Sequence, residues 1–201
     1  MYTLIPYSSR YTLHRMSYPS KTDREAILST AMKLVSKDGM DHLAVRSVAT
    51  ALGLAPNALY RYFSSLADLK DGLSEESRRQ LLGVLRKAAG DEKDVNSVRR
   101  VAHAYVQFAR DHSNVFALTL LPSSSYEGED AAHLQSWRFV VDQVASVYGN
   151  QRSQEAAVAL WAFLHGITVL ESARVLGAQK PSNGFEFGLE IWIQAGLAGA
   201  D

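Results

Sequence analysis

Histidine, serine and carboxylate side chains are the groups in this chain that could catalyse a reaction or bind a metal. The six histidines are scattered over 201 residues, without a His-x-x-x-His pair or a carboxylate at ligand spacing, and cysteine is absent. The sequence contains no Gly-x-Ser-x-Gly motif and no glycine-rich phosphate loop. We therefore expect a protein that is not an enzyme and that needs neither a metal nor another cofactor.

Arginine, asparagine and tyrosine side chains, which bind phosphates and base edges, occur together between Val45 and Phe63. The charge distribution points to the same partner. Residues 1–63 carry a net charge of +4 and residues 64–201 a net charge of −4, although the whole chain is neutral. A basic N-terminal part on an acidic body is typical of a small DNA-binding module attached to a second domain.

Two short helices joined by a glycine turn are the elements that would position these side chains. The first is predicted over Val45–Leu52, and Gly53 supplies the left-handed turn that ends it. The second begins near Pro56, since proline is tolerated in a first helical turn, and runs to about Phe63. This helix-turn-helix would project the early residues of its second helix into the major groove of double-stranded DNA.

Helical periodicity of apolar residues continues through the rest of the chain, without a convincing alternating strand pattern. We predict an all-α protein of about nine helices, over residues 22–38, 45–52, 56–63, 66–89, 95–111, 114–121, 129–148, 153–176 and 185–197. The expected domains are a flexible N-terminal arm (1–20), a helix-turn-helix domain (21–65) and a C-terminal helical domain (66–201).

The N-terminal residues contain no apolar run typical of a secretory signal, and the longest uncharged apolar stretch is Ala156–Leu170. This stretch is shorter than the roughly 20 residues that a membrane-spanning helix requires. We therefore expect a soluble, cytoplasmic protein without a membrane partner.

The segment Thr22–Leu69 resembles the DNA-binding domain of the TetR family of transcriptional regulators, because both the turn and the aromatic end Tyr60-Arg61-Tyr62-Phe63 are present in register. Trp161, His165 and Gly166 are similar to a Trp-x-x-x-His-Gly signature of one group of TetR ligand domains. The resemblance implies a repressor that a small molecule releases from a palindromic operator. It also implies DNA contacts by seven residues: Arg46, Pro56, Asn57, Ala58, Tyr60, Arg61 and Tyr62.

By the same resemblance, the C-terminal domain binds the effector and forms a homodimer. Mostly neutral aromatic side chains are the candidates for the pocket lining, which favours an apolar or amphipathic effector: His103, Phe108, Phe116, Trp137, Trp161 and His165. The helix predicted over 153–176 is apolar on more than one face, so it needs cover from a partner as well as from its own core. The interface candidates are Phe163, Ile167, Leu170, Leu189, Trp192 and Ile193.

Two positions depart from the family pattern and leave a second hypothesis open. Ala44 stands where threonine or serine commonly caps the first motif helix, and Leu66 stands where lysine is common. A missing cap costs about 1 kcal/mol, and a missing lysine removes a phosphate contact. The alternative is an all-α ligand-binding or scaffold dimer whose helix-turn-helix is weakened.

Several candidates are also compatible with a purely structural role. Four residues of the helix-turn-helix segment fit solvated charges or core aromatics: Arg46, Arg61, Tyr60 and Phe63. Trp161 and His165, one helical turn apart, fit a packed core pair as well as a pocket or an interface.

Overall fold

The computed structural model describes residues 22–121, 131–175 and 183–199. Within these ranges the chain forms eight α-helices and a short 3₁₀ turn at Met40–His42, and no strand. The helices are α1 (Arg24–Asp38), α2 (Val45–Ala51), α3 (Pro56–Leu59), α4 (Leu66–Ala89), α5 (Val95–Asp111), α6 (Ser113–Leu118), α7 (Ala132–Ser172) and α8 (Gly184–Ala198). The all-α prediction is confirmed, and the predicted arm over 1–20 lies outside the described residues.

Helix α7 accounts for the difference between nine predicted helices and the eight α-helices of the described ranges. The backbone leaves the helical conformation at Gly149, where φ is 69° and ψ is 164°, and helical residues follow immediately. Glycine adopts this left-handed φ without a steric penalty. The break predicted between residues 148 and 153 is therefore a kink at one residue.

Side-chain caps define the beginnings of three helices. Asp23 caps α1, Ser65 caps α4, and Asp94 forms a reciprocal capping box with Ser97 at the start of α5. Helix α2 differs, because its N-cap residue Ala44 makes no side-chain hydrogen bond. Helices α1 and α4 thus begin at side-chain caps, and the missing cap of α2 is a property of the folded chain.

Helix α4 belongs to both halves of the molecule. Its N-terminal residues Leu69 and Leu73 are buried in the same core as Ile27 of α1, whereas Leu81 and Leu85 pack in the C-terminal part of that core. Helix α4 therefore packs against helices of both halves. Among the described helices, none is both long and apolar enough to cross a membrane.

Hydrogen bonds from α4 hold the backbone of α6. The Ser77 hydroxyl donates to the carbonyl of Val115 at 2.6 Å. The Arg78 guanidinium donates to the carbonyls of Thr119 at 3.1 Å and Leu121 at 2.6 Å, just beyond the end of α6. These bonds satisfy carbonyls that a helix end leaves unpaired, so α4 and α6 are linked by polar contacts as well as by the core.

Candidate functional site

The turn between α2 and α3 is held by a pair of backbone hydrogen bonds. Gly53 has a φ of 66°. Its N–H donates to the Thr50 carbonyl at 3.1 Å, and the N–H of Leu54 donates to the Ala49 carbonyl at 2.9 Å. This is the Schellman arrangement that ends helices at glycine. It leads the chain directly into α3, whose first residue is Pro56, as predicted.

Helix α3 is shorter than the predicted helix over residues 56–63, so that boundary is wrong. It ends at Leu59, and the carbonyl of Leu59 accepts hydrogen bonds from both Tyr62 N–H at 2.9 Å and Phe63 N–H at 3.0 Å. One of these bonds has 3₁₀ spacing, which tightens the last turn. The Phe63 side chain is buried as a result, while the aromatic end of the segment lies in a turn.

Most of the predicted DNA contacts are exposed side chains of this segment: Arg46, Pro56, Asn57, Tyr60 and Arg61, with Ala58 half-buried. The Tyr60 side chain is 52% exposed, which excludes a core role for this aromatic residue. The Arg46 guanidinium makes no hydrogen bond or ion pair within the described part of the chain. Its charge is therefore available to an external anion.

Tyr62 is the exception among the predicted DNA contacts, because its hydroxyl is engaged within the domain. It donates to the carbonyl of Thr22 at 2.9 Å and accepts a hydrogen bond from Arg61 at 3.4 Å. The first bond ties Thr22, two residues before the start of α1, to the end of the recognition segment, which comprises α3 and the turn after it (residues 56–63). The sequence pattern alone did not predict this positioning role.

Arg24 is a second positioning residue that the sequence reasoning missed. Its guanidinium lies 4.0 Å from the centre of the Phe63 ring, donates to the Tyr62 carbonyl at 2.7 Å and pairs with Asp68 at 3.4 Å. Burial alone raises the pKa of Asp68, but hydrogen bonds from Ser64 and the charge of Arg24 lower that pKa below its ordinary value. Arg24 thus joins α1 to the start of α4 around the recognition segment.

In the C-terminal half, Tyr105 is the centre of a cluster of aromatic side chains, here called the Tyr105 cluster. Trp161 Nε1 donates to the Tyr105 hydroxyl oxygen at 3.2 Å, and His165 Nδ1 lies 3.4 Å from the same oxygen. Phe116 meets the Tyr105 ring edge-on at 5.4 Å, and Trp137 lies 6.3 Å from Trp161. Four of the six predicted pocket residues therefore gather around Tyr105, which is not one of the predicted pocket residues.

The Tyr105 cluster is electrically neutral near pH 7. Burial raises the pKa of Tyr105 to about 12, and the hydrogen bond from Trp161 opposes part of that shift. Burial also lowers the pKa of His165 from its ordinary value of 6.5, so the imidazole is neutral and can accept a hydrogen bond from the Tyr105 hydroxyl. A buried tyrosine hydroxyl requires such a hydrogen-bond partner. The signal for it in the sequence was the pair Trp161 and His165, two polar side chains one helical turn apart on α7.

The structure places the other two pocket candidates away from this cluster. His103 meets the ring of Phe185 edge-on at 4.9 Å, and its Nε2 lies 3.4 Å from a Glu186 carboxylate oxygen. Phe108 contacts His112 at 5.0 Å between ring centres and lines a cleft beside α1. His103 and Phe108 lie on α5, as Tyr105 does, but their side chains contact other residues than those of the Tyr105 cluster.

The predicted dimer interface is wrong for Leu189 and Ile193. Both side chains are fully buried within the protomer, so a partner cannot reach them. The indole N–H of Trp192 donates to the Ala156 carbonyl at 3.2 Å, and Phe163 stacks on the buried Phe185 ring. In a helix that is apolar on all sides, the sequence does not distinguish the face toward its own core from the opposite face.

The exposed apolar side chains of α7 and α8 lie on other faces of these helices. Of the remaining predicted interface residues, Ile167 is half-buried and Leu170 is 40% exposed. The exposed set also contains residues that were not predicted: Val158, Val169, Phe187 and Ile191. We call Val158, Val169, Leu170, Phe187 and Ile191 the apolar face. Side chains of this kind are unfavourable in water, and a partner surface would cover them.

Comparison with known proteins gives similarities over most of the chain. Residues 27–71 match the family described as bacterial regulatory proteins, tetR family, and residues 98–190 match the tetracyclin repressor-like C-terminal domain. An uncharacterized HTH-type transcriptional regulator of Mycobacterium tuberculosis, Rv0681, is 29% identical over 161 residues, which are 79% of this chain and 74% of that protein.

Solved structures share the fold. A protein with unknown function from Rhodococcus sp. RHA1 superposes with a TM-score of 0.71 at 24% identity, covering 90% of this chain and 98% of that chain. BioQ bound to its double-stranded DNA operator superposes with a TM-score of 0.57 at 20% identity, covering 88% and 99%. With a regulator-type match in each half, the chain belongs to the tetR family of bacterial regulatory proteins.

Proposed function

We propose that the chain is a dimeric, ligand-responsive transcriptional regulator that represses from a palindromic operator and is released by a small apolar or amphipathic molecule. The observation that carries the proposal is the helix-turn-helix itself. Its Schellman turn leads into α3, Asn57 and Tyr60 are exposed in and just after that helix, and the guanidinium of Arg46 on α2 has no partner in the described residues. In this proposal the protein binds DNA and an effector and catalyses no reaction, and it acts in the cytoplasm, where it meets the DNA.

DNA contact is divided between two kinds of residue in this proposal. Arg46, Tyr60 and Arg61 contact phosphates, which supply affinity but carry no sequence information. The first residues of α3, from Pro56 to Ala58, approach base edges in the major groove. Tyr62 acts indirectly, because its bond to the Thr22 carbonyl holds the end of the recognition segment against the chain just before α1.

The effector site in this proposal is the Tyr105 cluster. Trp161 is 49% exposed, so it is the side chain that an entering molecule displaces first. Displacement of Trp161 frees the hydroxyl of the buried Tyr105 to bond with the effector. Phe116 of α6 packs against Tyr105, and α6 is bonded to α4 through Ser77. Effector binding therefore shifts α4 and, with it, the position of α1–α3, here called the reader. This shift requires that the effector binds one arrangement of α4 and the reader more tightly than the other.

Dimerisation through the apolar face completes the proposal. A two-fold dimer would present two copies of α3 about one DNA turn apart, on the order of 34–36 Å, to the two halves of a palindrome. The alternative, a ligand-binding or scaffold dimer, draws support from the missing cap at Ala44 and the uncharged Leu66. It predicts the same dimer but no specific DNA binding.

Fluorescence anisotropy at several salt concentrations tests the proposal, with the promoter DNA upstream of the chain's own gene and random DNA of equal length. We expect tighter binding to the promoter fragment. Arg46→Ala should weaken binding to both DNAs and reduce the salt slope by about one unit, because one phosphate contact is lost. Arg86→Ala, an exposed arginine near the end of α4, is the control and should change neither quantity.

Equal affinity for promoter and random DNA, with no effect of Arg46→Ala, would exclude the regulator and favour the scaffold dimer. Tyr60→Phe adds a second comparison, since it removes a single hydroxyl from an exposed ring without altering the core. Under the regulator proposal it weakens binding, and under the scaffold alternative it has no effect.

A further inference from the structure

A cleft of about 370 Å³ lies where α1 meets α4, α5 and α6. Its floor is apolar, because the lining side chains of Met32, Phe108 and Val115 are buried members of the hydrophobic core. The volume lies in the range of small-molecule sites, which is about 300–1,000 Å³. The cleft lies on the α1 side of α5 and includes none of the side chains of the Tyr105 cluster.

The rim of the cleft is basic on the side of α1. Lys33 and Lys37 both line it, one helical turn apart, and both side chains are exposed. Neither ammonium group makes a hydrogen bond or an ion pair with the described residues. The carboxylate of Glu76, which accepts a hydrogen bond from the lining residue Gln80, is already paired with Arg79. In the part of the chain that the structure describes, no carboxylate therefore pairs with the two lysines at the rim.

We propose that this cleft binds a small amphipathic anion, with an aromatic or aliphatic body on the floor and a carboxylate or sulfonate between Lys33 and Lys37. The apolar floor offers the burial that a neutral body gains on leaving water. The two ammonium groups offer charge-assisted hydrogen bonds to one anionic group. Either feature alone would be an ordinary surface property, whereas their combination in one concave site matches one ligand chemistry.

The position of the cleft gives such an anion a regulatory consequence, and only this consequence rests on the proposed function. A molecule bound in the cleft contacts α1 of the reader together with α4, α5 and α6 of the C-terminal half. It therefore bridges the two halves directly, without passing through the Tyr105 cluster. An anion that binds more tightly to one arrangement of the reader and the C-terminal half shifts the equilibrium toward that arrangement.

Fluorescence titration of the full chain with two probes tests the binding proposal without DNA. The probes are 8-anilinonaphthalene-1-sulfonate, which is an anion, and N-phenyl-1-naphthylamine, which is a neutral analogue. Lys33→Gln with Lys37→Gln removes the rim charges. Ser36→Trp places a large side chain at another lining position and leaves both charges in place. Arg86→Gln with Lys87→Gln, at the exposed end of α4, is the charge-matched control.

We expect the anionic probe to bind roughly tenfold more weakly to the double lysine variant, because a charge-assisted contact is lost, and the neutral probe to bind as before. Ser36→Trp should remove one binding site for each protomer with either probe, and the control should match the wild type. Unchanged binding of the anionic probe to both cleft variants would overturn the proposal. So would a loss of DNA affinity in the lysine variant with intact probe binding, since the lysines would then serve DNA. Failure of the proposed function would appear only in the DNA titration.

Discussion

The backbone of Ala44 already has the extended conformation that a helix-capping residue adopts, with φ of −133° and ψ of 147°, but its methyl group accepts no hydrogen bond. The first N–H groups of α2 therefore have no side-chain cap. Arg46 lies in that first turn, so fraying of α2 would misplace a proposed phosphate contact. A single side chain thus connects local stability with DNA affinity.

Ala44→Ser supplies the missing cap. We expect it to raise the free energy of unfolding by about 1 kcal/mol, because the serine oxygen accepts a hydrogen bond from an N–H of the first turn. Urea unfolding followed by circular dichroism measures the change. Ala51→Ser, at the exposed end of the same helix, places the same side chain where no cap forms and should be neutral or slightly destabilising. Equal effects of the two variants would contradict this account.

His165 makes stability depend on pH. Its pKa in the folded chain is lowered by burial, so the unfolded chain binds the proton more readily. The free energy of unfolding should be constant above the unfolded value of 6.5 and should fall as the pH drops below that value. His165→Gln removes this titration and should flatten the dependence between pH 7.5 and pH 5. Parallel urea midpoints for wild type and variant across that range would show that the histidine titrates normally.

Among the elements, α1 and α4 approach each other closely at Gly72. A Cβ atom at Gly72 would lie 2.9 Å from Leu28 Cδ2 and 3.2 Å from Phe63 Cε1. Glycine at this position allows the two helices to approach, although it lowers the intrinsic stability of α4. The close approach also places the Phe63 ring under the Arg24 guanidinium.

Gly72→Ala and Gly83→Ala separate packing from helix propensity within one helix. A Cβ at Gly83 meets no atom within 4 Å. We expect Gly83→Ala to stabilise the protein by roughly 0.5–1 kcal/mol through propensity alone. Gly72→Ala should instead destabilise it by about 1–3 kcal/mol through overpacking. Thermal and urea unfolding of both variants measure the difference, and two stabilised variants would mean that α1 moves aside at no cost.

At the scale of the whole molecule, the apolar face is the feature that a single protomer does not explain. Phe187 is 70% exposed and Ile191 is 55% exposed, although both lie on α8, whose inner residues Leu189 and Ile193 are fully buried. The inner face of α8 is already occupied by α7, where Tyr148 and Trp192 pack at 4.7 Å between ring centres. The outer face is therefore the surface that remains for a second copy of the chain.

Phe187→Glu combined with Ile191→Glu should convert the dimer to a monomer, since two carboxylates on each protomer would be desolvated and brought together. Sedimentation velocity measures the change, and specific DNA affinity should fall with it because the two readers are no longer joined. Val84→Glu replaces an exposed apolar side chain of α4, which is 38% exposed, and should leave the dimer intact. A dimer that survives the double substitution would place the interface elsewhere.

Local signals in the sequence determined the helices and the turn of the reader. Gly53 was predicted to end the first motif helix with a left-handed turn and does so, because such a turn depends on a few neighbouring residues. The assignment of DNA contacts to Arg46 and its neighbours also came from that local pattern and remains a prediction. The end of α3 was missed, since the bond of 3₁₀ spacing from the Tyr62 N–H to the Leu59 carbonyl tightens the last turn and leaves Phe63 buried in the core.

Tertiary structure alone decided which side chains meet across helices. Residues as far apart in sequence as Tyr105 and Trp161, or Lys37 and Phe108, share a cluster or a cleft only after packing of their helices. The same holds for α8, where composition indicated a buried helix but packing selected Leu189 for the core and not for the interface. The physical reason is that periodicity reports how apolar a face is, whereas the partner of that face depends on the relative rotation of distant elements.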